Sequence, residues 1–383
     1  MTMLTEQVLT NAQIVLKDQV VQGSIHLENG RIVAIDAGTS QLPHAQDMGG
    51  SYLIPGMVEL HTDNLEKFMT PRPKVNWPTL SAMLSHDGQV ASAGITTVFD
   101  ALSIGDISPK GDRMANLEPM MAALSHAQQE GLTRVAHKIH LRCEVAHPET
   151  YDIFQRCVQN EQVGLVSLMD HSPGQRQFQQ IEQYRIYYQG KYGLSLAQME
   201  AFEHSQLANA QAYSHKHRLA IAEQCRDQQV VMASHDDATF EHVAESHQLG
   251  MSIAEFPTSI EAAKHSTDKG LRVLMGAPNI VRGGSHSGNV AASSLATQGF
   301  LDILSSDYYP NSLLHAAFML TDEAIGFDLP QAIRTVSHNP AQAVNLTDRG
   351  ELAPGKLADL VQVSLHGQQP IVRKVWKQGV RVI

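Results

Sequence analysis

The chain has 383 residues, 43% apolar and 17% charged, a composition suited to a globular fold large enough for a barrel of ~250 residues with an accessory unit. A net charge of −11 gives no overall attraction for nucleic acid or an anionic bilayer, so an anionic ligand must be met by a local group of cations. No run approaches ~20 apolar residues, residues 1–7 lack the basic and apolar regions of a signal peptide, and the three cysteines, Cys143, Cys157 and Cys225, form no CxxC pair; the expectation is a cytoplasmic protein in a reducing compartment, with neither a membrane nor a nucleic-acid partner.

Alternating apolar runs at 13–16, 23–27 and 31–35 read as strands, with Asn29-Gly30 as a hairpin turn between the last two. The runs at 360–363, 372–376 and 380–383 repeat the style. Neither end can enclose a core alone, so residues 1–54 and 350–383 are predicted to form one small β-sandwich domain. Between them, eight strand-like runs (57–60, 95–101, 135–143, 165–169, 230–234, 252–256, 272–275 and 303–306) alternate with helical stretches. That order predicts an α/β fold, a (β/α)8 TIM-like barrel over residues 55–349. Residues 172–227 are too many for one connection and carry Tyr184, Arg185, Tyr187, Tyr188, Lys191 and Tyr192, then a helical run from Ser195. The segment reads equally well as a wall over the barrel mouth and as an excursion on its outside.

His61-x-Asp63 closes the first barrel run, after the turn at Pro55-Gly56. Residues i and i+2 of a strand share a face, so this imidazole and carboxylate point the same way. Such a pair at a strand end is usually an ordinary loop junction, but other runs end alike. Residues 163–169 lead through Asp170 into His171, 230–234 into His235, 301–306 into Asp307 and 135–143 into Glu144. His61, Asp63, Glu144, His171, His235 and Asp307 therefore form a donor set suited to two divalent ions sharing a carboxylate. Imidazole and carboxylate donors fit zinc, and also manganese, iron or nickel. Glu144 is the candidate bridge, with His140, four residues earlier, as runner-up. Asp307 is also the candidate general base. Asp170 and Asp236 are placed to orient imidazoles, whereas Asp237 reads more simply as a helix cap.

Cations recur near the strand ends: Lys67, Arg72 and Lys74 follow the first, and Arg142, Arg176, Arg185 and Lys191 cluster around later ones. Arg282 and His286 lie in the glycine-rich stretch 280–288, whose backbone N–H groups could cradle a phosphate, although such loops also arise for steric reasons. The Arg guanidinium suits phosphate through paired donors. The ligand these residues suit is a phosphate-bearing anion.

Pro55-Gly56 with His61-x-Asp63, Ser337-His338-Asn339-Pro340-Ala341 and the stretch 350–360 resemble the amidohydrolase superfamily. Residues 58–67, 168–178, 233–239, 275–289 and 304–310 further resemble its phosphonate-metabolism branch, the triphosphate diphosphatases of the carbon–phosphorus lyase pathway. The resemblance runs through the whole chain. It implies a metal-bearing barrel with a β domain from both termini, two divalent ions with zinc favoured, and hydrolysis of a methylphosphonate-bearing ribose 5-triphosphate to the 5-phosphate with release of pyrophosphate. The superfamily often carries His-x-His on its first strand, where this chain has Asp63 as the second ligand. A hydrolase of cyclic amides or amidines on the same fold is the alternative, but a neutral ring gives no reason for Arg72, Lys74, Arg176 and Arg282. A metal-free assembly protein would lack several donors that are present here. A homodimer is the default assembly.

Overall fold

The structure is a computed structural model that describes residues 6–72, 75–105, 113–178, 181–285 and 288–383; Lys74 and His286 lie outside them. The chain divides into two compact units, one of Met1–Asp100, Leu124–Lys138 and Met275–Ile383, the other of Ala101–Ala123 and Ile139–Leu274.

The first unit holds a sheet made from both ends of the chain. Its strands are β1 (Gln7–Val15), β2 (Val20–Glu28), β3 (Arg31–Ala37), β4 (Gln46–Asp47) and β5 (Tyr52–Pro55). Its barrel strands, taken with those of the other unit, are β6 (Met57–Thr62), β7 (Ile95–Ile104), β8 (Ala136–Glu144), β9 (Val163–Met169), β10 (Val231–His235), β11 (Ile253–Glu255), β12 (Arg272–Gly276) and β13 (Ile303–Ser305). The C-terminal strands β14 (Leu360–His366), β15 (Gln369–Lys377) and β16 (Val380–Arg381) return to the first sheet.

That sheet runs β16-β15-β14-β5-β1-β2-β3, with β4 beside β1. Most pairs are antiparallel, and β1 pairs with β4 and β5 in parallel. The hairpin between β2 and β3 turns on Asn29 (φ 50°) and Gly30 (φ 78°), the two left-handed positions that an Asn-Gly turn supplies at least cost. Leu9, Ile25, Ile32, Leu53, Leu360 and Trp376 share one buried core. Because β3 and β15 stand near opposite ends of the strand order yet meet in that core, the sheet wraps round it as the two layers of a sandwich do. Burial of each large side chain contributes about 1.5–3 kcal/mol.

The barrel strands, all of the sequence-derived runs among them, form one sheet of eight in chain order from β6 to β13. Every residue of β7 is buried, as a parallel strand covered on both faces requires. A bridge from Thr62 to Asp307 joins the end of β6 to the residues just past β13. Gly56 sits where a Cβ would fall 2.2 Å from the Thr96 hydroxyl, so the turn into β6 has no room for a side chain. No described helix is long and apolar enough to cross a membrane.

Candidate metal centre

Strand register in the second unit decides which side chains meet. Glu144 of β8 pairs with Met169 of β9, Leu168 pairs with Ser234 of β10, and His235 pairs with Glu255 of β11. Glu144, Met169, His235 and Glu255 therefore fall in one row at the C-terminal ends of four parallel strands, the end at which barrels carry their chemistry.

The row sets two imidazoles in matching environments. The His171 Nδ1 lies 2.6 Å from Glu144 Oε2, and Glu144 Oε1 accepts the His171 backbone N–H at 3.1 Å. The His235 Nδ1 lies 3.2 Å from Glu255 Oε2. Each glutamate fixes one ring nitrogen and leaves the other turned to Asp236, whose Oδ2 is 3.8 Å from His171 Nε2 and 3.6 Å from His235 Nε2. The two rings stand edge to face, 5.7 Å apart, and the donor atoms of His171, His235 and Asp236 all lie within 4.8 Å of one another. A carboxylate behind each imidazole is the usual way to orient a metal-binding histidine. Asp236 reaches this place from a left-handed backbone, φ 56°, a conformation that Asp tolerates better than most residues.

The two imidazoles differ electrically. Burial pushes His235 down to about 3, so it is a neutral ring able to offer a lone pair. Burial also opposes charge on His171, but the Glu144 carboxylate outweighs it and holds that pKa above the ordinary histidine value. His140, fully buried on β8, has Nε2 2.8 Å from the Ser167 hydroxyl and Nδ1 3.9 Å from Glu255 Oε1. Glu255 thus stands between His140 and His235.

In the first unit, His61 is buried and its Nε2 lies 3.7 Å from Asp63 Oδ1. Asp307, at φ 54°, donates its backbone N–H to the His61 carbonyl at 3.0 Å, and its own carbonyl accepts the Asp63 N–H at 3.2 Å. The backbone thereby links the three residues to one another. Glu59 clamps the same junction from inside: Oε1 accepts the His61 N–H at 2.7 Å and Oε2 the Ser306 N–H at 2.6 Å. Burial pushes the Glu59 carboxyl up to about 8.

The proposed phosphate-binding cations divide by environment. Arg176 is buried, its guanidinium against Asp237 and 3.0 Å from Glu245; this internal pairing, rather than exposure to a ligand, is what the fold gives it. Arg185 is paired with Glu203 at 2.7 Å. Lys67 reaches the Tyr308 carbonyl and lies 5.3 Å over its ring. Arg142 is close enough to lower the affinity of both His171 and His235 for a proton. Arg72 is exposed, as is Arg282 at the end of the helix Ala277–Arg282. Asp237 is not the helix cap that its position suggests. Thr239 caps Phe240–Gln248, while Asp237 also accepts the Ser246 hydroxyl at 2.9 Å. Asp170 faces Arg218 at 3.6 Å.

The long segment after β9 folds as the helices Ile181–Tyr192, Leu196–Asn209 and His215–Asp227. Phe178, Tyr184, Tyr188 and Met199 form its own core, and Phe178 packs edge-on to His171, ring centres 6.3 Å apart. Its aromatic core therefore begins beside the histidine row, as a wall of the site would.

Sequence reading named Asp236 only as an orienting carboxylate and did not name Glu255. Glu255 closes an apolar run as Glu144 does, which was the available signal. Asp236 had only its place after His235.

A parallel barrel with histidines and carboxylates at its strand ends defines a metal-dependent hydrolase class. The amidohydrolase family model matches residues 85–383, and the chain belongs to that family. It is 56% identical over 376 residues, 98% of this chain and 100% of the relative, to the alpha-D-ribose 1-methylphosphonate 5-triphosphate diphosphatase of Escherichia coli (strain K12). An adenine deaminase of Desulfatibacillum aliphaticivorans is 25% identical over 98% of this chain and 58% of its own length. Among solved structures, N-acetyl-D-glucosamine-6-phosphate deacetylase of Mycobacterium smegmatis superposes with a TM-score of 0.66 at 17% identity, covering 98% of this chain and 100% of that one. A 5-methylcytosine deaminase of Klebsiella pneumoniae gives 0.65 at 14%, covering 98% and 99%. These structures share the fold.

Proposed function

We propose that this chain is a metal-dependent hydrolase that cleaves alpha-D-ribose 1-methylphosphonate 5-triphosphate to the 5-phosphate and pyrophosphate. The 56% identity across the full length of the Escherichia coli enzyme of that name carries the reading. The donor chemistry of the site agrees with it: neutral His235, His171 oriented by Glu144, and Asp236 between them are residues that fit a divalent cation.

Two ions are assigned, with zinc favoured. His171, His235 and Asp236 are the proposed donors to one, and His61 with Asp63 beside it is assigned to the other. Once bound, such ions lower the pKa of water and polarise a phosphoryl oxygen. Glu144 acts in this scheme through His171, orienting its ring. Asp307 accepts the proton of the attacking water on a carboxylate oxygen. That water forms a bond to the phosphorus carried by the ribose 5-oxygen, and the bond from that phosphorus to the bridging oxygen breaks, releasing pyrophosphate. Lys67, Arg72, Arg142 and Arg282 are the cations assigned to the phosphate chain. The enzyme is placed in the cytoplasm as a homodimer.

The test is turnover of the ribose 5-triphosphate by protein reconstituted with zinc or manganese, read as pyrophosphate release. Pyrophosphate in step with the 5-phosphate supports the assignment. Inactivity there, with turnover of a cyclic amide or N-acyl sugar, overturns it.

A further inference from the structure

Away from the histidine row, the first unit buries a second group of titratable side chains that the proposed reaction does not use. His86 and Asp87 lie on the helix Thr79–Ser92, Asp100 on β7 and His137 on β8, and all four are 0–2% exposed. The Asp100 carboxylate is shared: Oδ1 is 2.5 Å from His86 Nε2 and Oδ2 is 2.7 Å from His137 Nδ1. The other nitrogen of His137 lies 3.3 Å from Asp87 Oδ1. Asp87 also accepts the backbone N–H groups of Arg134 and Val135 at 2.8 and 3.1 Å, and the Arg134 guanidinium at 3.0 Å. At the opposite end, the Asn64 amide lies 3.3 Å from His86 Nδ1 and also donates to Gln89.

Hydrogen-bond bookkeeping sets the protons. His137 faces a carboxylate with each nitrogen, so both carry a proton and the ring is an imidazolium. His86 sets Nε2 against Asp100 and Nδ1 against the Asn64 amide. Asp87 and Asp100 face His137, and Asp87 also faces Arg134. Donor atoms already bridged by protons at 2.5–2.7 Å are not arranged as ligands waiting for a cation.

A buried ionic network between a helix and a sheet gains little stability over an apolar contact of the same volume. What it adds is direction, because each hydrogen bond fixes an angle that apolar packing leaves loose. Toward the site it reaches Asn64, the first residue of the helix Asn64–Met69, which directly follows Asp63. We propose that His86, Asp100, His137 and Asp87 are positioning residues that, acting through Asn64, hold the turn carrying Asp63. Asp100 supports this from a second direction, since it is the register partner of Thr62 on β6. The network braces both the strand end and the first helical residue beyond it. The inference rests on the proposed role of Asp63 at the metal centre.

The experiment is a double-mutant cycle on the metal-loaded enzyme with Asn64→Leu and His86→Leu. Two readouts are followed: kcat and KM on the triphosphate, and the rate at which zinc is lost to a chelator, which needs no substrate and reads the network even if the diphosphatase assignment fails. Each single variant should lower kcat and speed zinc loss by about tenfold with KM little changed, a displacement effect. The double variant should be no worse than the worse single one, because both break the same chain. Additive effects, or wild-type kcat and zinc retention in Asn64→Leu, overturn the proposal. So does a third equivalent of metal in the wild type that His137→Gln removes. Where His86→Leu does not fold, Asn64→Leu alone decides.

Discussion

Glu144 and His171, 27 positions apart in sequence, are joined twice: the carboxylate takes the ring Nδ1 at 2.6 Å and the backbone N–H at 3.1 Å. The glutamate therefore fixes both where His171 sits and which way its ring faces. Glu144→Gln is expected to keep the fold and lose about 10–100-fold in metal affinity. Titrating activity against added zinc tests this, and recovery of wild-type kcat at high metal is the expected result. An unchanged titration midpoint would free His171 from Glu144.

Asp307 is locked by backbone to His61 and Asp63, so its carboxyl can be altered without moving the strand ends. Asp307→Asn should retain bound metal, measured by elemental analysis, while kcat falls by about 10²–10⁴-fold. Near-normal turnover in that variant would take the proton-accepting role away from Asp307.

Arg176 lies inside the second unit between Asp237 and Glu245. Removing one partner of a buried pair leaves an uncompensated charge, so Arg176→Ala should cost about 3–5 kcal/mol. Urea unfolding monitored by circular dichroism measures it. A variant with unaltered stability and a raised KM would instead return Arg176 to the substrate.

Burial opposes the charge of His137, but Asp100 and Asp87 outweigh it and hold its pKa up to about 9. A folded-state pKa above the unfolded value of about 6.5 means the native protein binds the proton more tightly. The stabilisation is complete below about pH 6.5, fades as pH rises and is lost above about pH 9. The Tm gap between the wild type and His137→Gln should therefore shrink across that window. A gap independent of pH would show that His137 is not an imidazolium.

The chain itself determined the architecture and marked candidates for the site. The barrel strands are apolar runs of a few residues, and the turns at Asn29-Gly30 and Pro55-Gly56 announce themselves by residue type; these are local properties of a few consecutive side chains. His61, Asp63, Glu144, His171, His235 and Asp307 could be picked out because each stands at or just past the end of such a run. Pairing across strands has no local signature. That His235 is opposite Glu255 depends on the register of β10 with β11. That Arg176 is turned inward to Asp237 depends on how the segment after β9 packs. His86, Asp100 and His137, scattered over a helix and two strands, became one network only when the backbone brought them together. A side chain's type fixes what it can donate or accept, but its partner is set by the hydrogen bonds between strands and the packing of helices upon them, and these join residues far apart along the chain.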